Sequence, residues 1–327
     1  MTREEFERFC QEGRLVGTPG NQTAAAFLKE LLRQAGFVPV EDPPPTLLTP
    51  QLLIPLGLLM VWMALWRIRF VAVLPVLLAL FGVMFRLWQG VRTGAPMAIY
   101  GVRSAKEANA KPCPTVFLCA HFDTASLPFP LHGSPFEVFL KVLVLLVALT
   151  WLARAIHPLV GLVGIGGILG LLVIPRNSSP GADDNASGVF AVIECLRRFG
   201  HAENVQVVPV FFNYEELGLL GSRAWVRWHL AKKGTGIPGV LVDPKQAYVI
   251  NFDCVGRGRH IFVSGTRRLK AQLLRTPAAQ ALGARRTWLY PSDHLSFRPR
   301  WQAVSLARAD RLWFLDLRWV HSEWDVP

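Results

Sequence analysis

GADDNASGVFAVIECLRRFG, residues 181–200, sets two aspartates in a glycine-flanked turn that opens an apolar stretch of helical period. Val189, Val192, Ile193, Leu196 and Phe199 recur on one helical face. Alone, the turn reads as a helix N-terminus with acidic residues near the positive end of the dipole, which requires no ligand. Its neighbours decide more. The runs TVFLCA (115–120), VQVVPVFF (205–212) and AYVINF (247–252) are short, apolar and β-rich, and strands alternating with helices predict an α/β sheet. Upstream, NQTAAAFLKELLRQAG (21–36) places Ala24, Phe27, Leu28, Leu31 and Leu32 on one helical face, with Gly36 as its stop.

Each strand-like run leads into groups that ligate metals or move protons: His121 and Asp123, then Glu215 and Glu216, then Asp253. Open α/β sheets bind ligands at the carboxyl ends of their strands, so three strands deliver these groups to one edge. The aspartate turn enters from the same edge, because it precedes a helix. A set of imidazoles and carboxylates suits zinc. Several carboxylates around two histidines suit a pair of ions about 3.5 to 4 Å apart, able to hold one hydroxide. His121 and Asp123, two apart on an extended chain, face the same way, so the aspartate can brace the imidazole. The adjacent Glu215 and Glu216 can divide the work, one on metal and one taking a proton.

The ordered set AHFDT, GADDNASG, NYEELGLLGS, NFDCVG, PSDHLSF and VHSEWD resembles metallopeptidase family 28. These are the co-catalytic zinc exopeptidases that include bacterial leucyl aminopeptidase and glutamate carboxypeptidase. The resemblance extends to GTPGNQTAAAFLKELLRQAGF near the start of the chain. It implies His121 and Asp253 on one zinc, Glu216 and His321 on the other, Asp184 bridging both, and Glu215 as general base. Asp184 is preferred to Asp183 because the family's bridging aspartate stands three residues before the serine of SG. His321 is preferred to His294 because the family's last metal histidine lies in an HSxxD-type ending, matched by His321, Ser322 and Asp325. Asp293 and His294 are then expected to line the substrate pocket. The activity implied is zinc-dependent cleavage of N-terminal peptide bonds, with cobalt or manganese as other metals the site accepts and a peptide as substrate. The rival readings are a glutaminyl cyclase working with one zinc and a non-catalytic membrane scaffold on a peptidase fold.

The fold expected is a three-layer α/β/α domain of the zinc-exopeptidase type, with a mixed, mostly parallel sheet interrupted by two transmembrane helical hairpins. The peptidase part comprises 1–46, 96–131 and 176–327, and the hairpins occupy 47–95 and 132–175. The hairpins are inferred from apolar runs near 47–66, 70–88, 136–153 and 158–174, each near the length that spans a bilayer. Hydrophobic residues at 51% and a mean hydropathy of +0.31 point the same way. The net charge of +12 is spread along the chain without a dense basic stripe, which favours anionic lipid over nucleic acid as partner. An integral protein with four spans is therefore expected, its catalytic domain placed on the cytoplasmic side for want of a signal-peptide pattern in MTREEFERFC. The oligomeric state is not legible. The five cysteines show no CxxC spacing and read as buried thiols. Cys254, next to Asp253, is expected to point to the opposite face of its strand.

Overall fold

The structure, a computed structural model, describes residues 2–45, 90, 92–103, 113–126, 176–231, 236–240, 242–287, 291–298, 300–310 and 319–327. The helices are α1 (Arg3–Phe9), α2 (Pro19–Gln34), α3 (Ser187–Phe199), α4 (Leu220–His229), α5 (Arg267–Leu274) and α6 (Pro277–Ala281). The strands are β1 (Val38–Glu41), β2 (Ala98–Val102), β3 (Thr115–His121), β4 (Gln206–Phe212), β5 (Ala247–Phe252), β6 (His260–Gly265), β7 (Arg285–Arg286) and β8 (Gln302–Ala309). They form one sheet in the order β1-β2-β4-β3-β5-β8-β6-β7. The central strands β4, β3, β5 and β8 run parallel, whereas β1, β2 and β6 pair antiparallel towards the edges.

Helix α2 begins where Thr18 caps it and Pro19 occupies its first turn, a position where the missing N–H costs nothing. It buries Ala24, Leu28, Leu31 and Leu32, and Gly36 beyond its end takes the left-handed conformation (φ 83°). Strand β3 is apolar on both faces because both are covered. Leu118 and Ala120 join the core formed with α2 and α3, while Phe117 and Cys119 join the core containing Trp225 of α4, Phe297 and Trp301. Helix, sheet and helix thus stack in three layers.

Register fixes the functional edge. His121 pairs with Phe212 across β3 and β4, and Cys119 with Asn251 across β3 and β5. Asp253, two residues past Asn251, therefore comes level with His121, and the chain beyond Phe212 delivers Glu215 and Glu216 to the same side.

The membrane expectation is corrected. Among the described residues no helix is long and apolar enough to cross a membrane; the longest, α2, has 16 residues and an amphipathic face, against the roughly 20 apolar residues a span requires. The four runs read as spans lie outside the described residues. The reading of an integral, four-span protein is withdrawn, and with it the side assigned to the catalytic domain.

Away from the functional edge, α4 is tied to the segment after β1 by a buried ion pair. His229 Nε2 lies 2.7 Å from Asp42 Oδ2, and its Nδ1 lies 2.6 Å from the carbonyl oxygen of Gly236. Both partners accept, so both ring nitrogens carry protons and the imidazole is cationic. Tyr100 and Trp225 pack against the ring. Burial lowers the His229 pKa, but Asp42 and the Gly236 carbonyl outweigh it and raise the value above the ordinary 6.5. The folded-state pKa being the higher, the stabilisation is complete below 6.5 and is lost as pH rises through the folded-state value. His229→Ala is expected to cost about 3 to 5 kcal/mol at pH 6 by stranding Asp42. Denaturant midpoints of the two proteins across pH should draw together as pH rises.

Candidate metal centre

His121 closes β3, and its ring is fixed at the atom that faces away from the centre. Nδ1 lies 3.1 Å from the carbonyl oxygen of Asp123, which can only accept, so Nδ1 carries a proton and Nε2 is the atom turned to the centre. That Nε2 stands 3.1 Å from Asp184 Oδ1 and 3.6 Å from Asp253 Oδ1. His321, with its backbone in the left-handed region (φ 60°), places Nε2 3.3 Å from Asp184 Oδ2 and 3.0 Å from Glu216 Oε2. One carboxylate, that of Asp184, therefore faces both imidazoles, one oxygen to each. Ligating atoms cluster as His121, Glu215 and Asp253; as Asp184, Glu216 and His321; and as Asp184, Asp253 and Cys254, each set within 4.8 Å.

Asp123 braces His121 mainly through its backbone, for its carboxylate oxygen is 3.7 Å from Nδ1. The buried carboxylate instead accepts the amide N–H groups of Glu215 and Glu216, both at 3.2 Å. It can do so because the chain turns sharply after β4 at Tyr214 (φ 62°). That turn is held by the Tyr214 hydroxyl donating to Ala95 O and by a reciprocal amide pair between Asn213 and Asn21. Glu216 is further fixed by Ala125 N–H, which donates to its Oε1.

The opening aspartate turn (Ala182–Ala186) is clasped on all sides by residues that sequence reading did not single out for the task. Asp325 accepts the N–H groups of Asp183 at 2.7 Å and of Asp184 at 3.0 Å. The buried Arg14 donates to the carbonyl oxygens of Pro180 and Gly181. Asn185 donates to Phe252 O and accepts from Gly188 N and Cys254 N. Asp183 points away from the two histidines and accepts from the amides of Gly256 and Arg257. Asp184 alone of the adjacent pair reaches the histidines.

Asp293 and His294 lie in a short 3-10 turn (Asp293–Phe297) and are fully buried. Neither Asp293 oxygen nor either His294 nitrogen has a hydrogen-bond partner. Burial pushes Asp293 up to about 7, with His121 opposing and Asp123 and Asp253 adding. Burial, with Arg298 and Lys270, pushes His294 down to about 4. One reading is corrected: the chain has left β5 at Phe252, and Cys254 has φ 52°. Strand alternation no longer governs its direction, and its sulfur comes within 4.8 Å of carboxylate oxygens of Asp184 and Asp253.

The residues fit a metal. Asp184 Oδ1 is buried and without a hydrogen-bond partner, and two imidazoles, that of His121 buried and that of His321 partly exposed, meet several carboxylates. Burial opposes charge on His121, yet Glu215, Asp123, Asp184 and Asp253 hold its pKa well above the ordinary value. Asp184 is held low, against burial, by the two histidines. Such mutual dependence marks acids and bases that require positive charge among them. Asp325→Asn leaves one of the two amides beneath Asp184 facing an NH2 donor instead of an acceptor; it is expected to weaken zinc binding by about 10- to 100-fold, measured by titration against a zinc-sensitive chelator.

The sequence matches the model of Peptidase family M28 over residues 104–310, well over half of the chain. No curated protein matches it by sequence. Solved structures of like fold include an aminopeptidase from Aneurinibacillus sp. strain AM-1, with 12% identity over 99% of this chain and 87% of that one and a TM-score of 0.57. Another is Tannerella forsythia glutaminyl cyclase, with 16% identity over 98% and 88% and a TM-score of 0.57. BSAP, a zinc aminopeptidase from Bacillus subtilis, aligns at 21% identity over 70% of this chain, with a TM-score of 0.45. The chain spans less than half of that protein's length, 44% of it being covered. At such identities the likeness shows the fold alone. The match over residues 104–310 decides the family: the chain belongs to peptidase family M28, a family of zinc-dependent metallopeptidases.

Proposed function

We propose that the protein is a two-zinc exopeptidase that removes residues from the amino terminus of peptides. His121 and Asp253 hold one ion, Glu216 and His321 the other, and Asp184 lies between them. The observation that carries this reading is the Asp184 carboxylate, turned with one oxygen to each imidazole. When bound, zinc polarises a carbonyl and makes water acidic near neutral pH.

Glu215 supplies the proton transfer. It is half-buried and groups with His121 and Asp253, leaving Glu216 to face His321. Burial raises its pKa well above the ordinary 4.5, with His121 opposing and Asp293, Glu216 and Asp253 adding. A carboxylate so placed takes a proton from the attacking water and returns it to the leaving amine. The surplus of carboxylates also favours a substrate that brings a free ammonium group, which an amino-terminal residue provides.

A second reading, cyclisation of amino-terminal glutamine around one zinc, draws on Asp293. That buried carboxyl, near 7 in pKa and facing His121 and Asp253, is a second proton carrier beyond what Glu215 needs for hydrolysis. Metal analysis of the purified protein is expected to give two zinc ions per chain, with release of free amino acids from aminoacyl reporters. One ion per chain with ring closure of glutaminyl peptides selects the second reading. Glu215→Gln should retain the metal and lose about 100- to 10,000-fold in turnover; an undiminished rate removes Glu215 from its role.

A further inference from the structure

We infer that Cys254 is a thiol ligand of the metal centre, an addition to the imidazole and carboxylate set that rests on the two-zinc reading above. Its sulfur, Asp184 and Asp253 form one of the three clusters of ligating atoms, all within 4.8 Å. The cluster shares Asp253 with the His121 group and Asp184 with the His321 group, and on its other side Cys254 joins the buried apolar cluster of Phe262, Ala307, Ala309 and Val320. Independently, Asp184 Oδ1, on a side chain more than nine-tenths buried, has no hydrogen-bond partner.

The placement is built rather than incidental. Residues 252–257 are laced to the aspartate turn by successive bonds: Phe252 O accepts from Asn185, Cys254 N and Val255 N donate to Asn185 and Ser187, and Gly256 N and Arg257 N donate to Asp183. On the other side, Cys254 O accepts from Arg308 N of β8 at 2.8 Å. The backbone of Cys254, and with it the Cβ that carries the thiol, is thus locked to the turn that carries Asp184. Sulfur is a soft donor, which biases a carboxylate-rich site towards zinc and away from manganese. On coordination its proton passes to solvent.

Cobalt(II) substituted into the full chain tests this without recourse to activity. Visible d–d bands report cobalt in the centre, and a near-ultraviolet sulfur-to-cobalt charge-transfer band reports the thiol. Both are expected in the wild type; Cys254→Ser should abolish the charge-transfer band, keep the d–d bands and weaken zinc binding at least about 10-fold. Cys195→Ser, on the half-buried side of α3, should leave both bands. Visible bands without charge transfer in the wild type, or charge transfer persisting in Cys254→Ser, overturn the inference while the two-zinc reading stands. Failure to take up cobalt or zinc overturns both.

Discussion

Crowding of buried carboxylates against two imidazoles, at the carboxyl ends of β3, β4 and β5, is the constraint to which the surrounding structure answers. Asp123, Asp183, Asp184, Asp253, Asp293 and Asp325 are all buried, and like charges at such density repel one another strongly in a poorly solvated space. The fold divides them by what they accept. Asp123, Asp183 and Asp325 take backbone N–H groups, which lets them serve as anchors. Asp184 and Asp253 turn instead towards the histidines.

The anchoring carboxylates explain how loops become as definite as strands. A ligand on a strand end is placed by the ladder, whereas Glu215, Glu216, Asp184 and His321 all stand on irregular chain. The glutamates and the aspartate turn are fixed by side chains from elsewhere in the sequence, Asp123 under the glutamates and Asp325 and Arg14 around the turn, while Asn185 joins that turn to the end of β5. Beneath them the sheet supplies rigidity, packed on both faces. Pre-set geometry of this kind is what a metal centre needs if binding is not to be spent on ordering its own ligands.

Of the candidate site, His121, Asp253 and the glutamate pair were legible because each follows a β-rich run whose end is visible in composition alone. The choice between Asp183 and Asp184, and between His294 and His321, came from family resemblance; no local feature of DD distinguishes a ligand from an anchor. Arg14 was not legible: in EGRLVG it looks like any surface arginine, and its burial depends on carbonyls of Pro180 and Gly181 far along the chain. Cys254 was misread because alternation was carried past the last residue of β5. The membrane reading rested on hydropathy alone, whereas no helix among the described residues is long and apolar enough to span.

The sequence by itself determined the period and order of α2, β3, α3, β4 and β5, and the types of group that stand at those strand ends. These are local properties, set by side-chain alternation and by the chemistry of each residue. Which groups meet was decided only by tertiary structure, through strand register and the long-range clasps of Asp325, Arg14 and Asn185. Two residues side by side in the chain, Asp183 and Asp184, part company there because hydrogen-bond partners brought in from distant segments leave a place for one and a different place for the other.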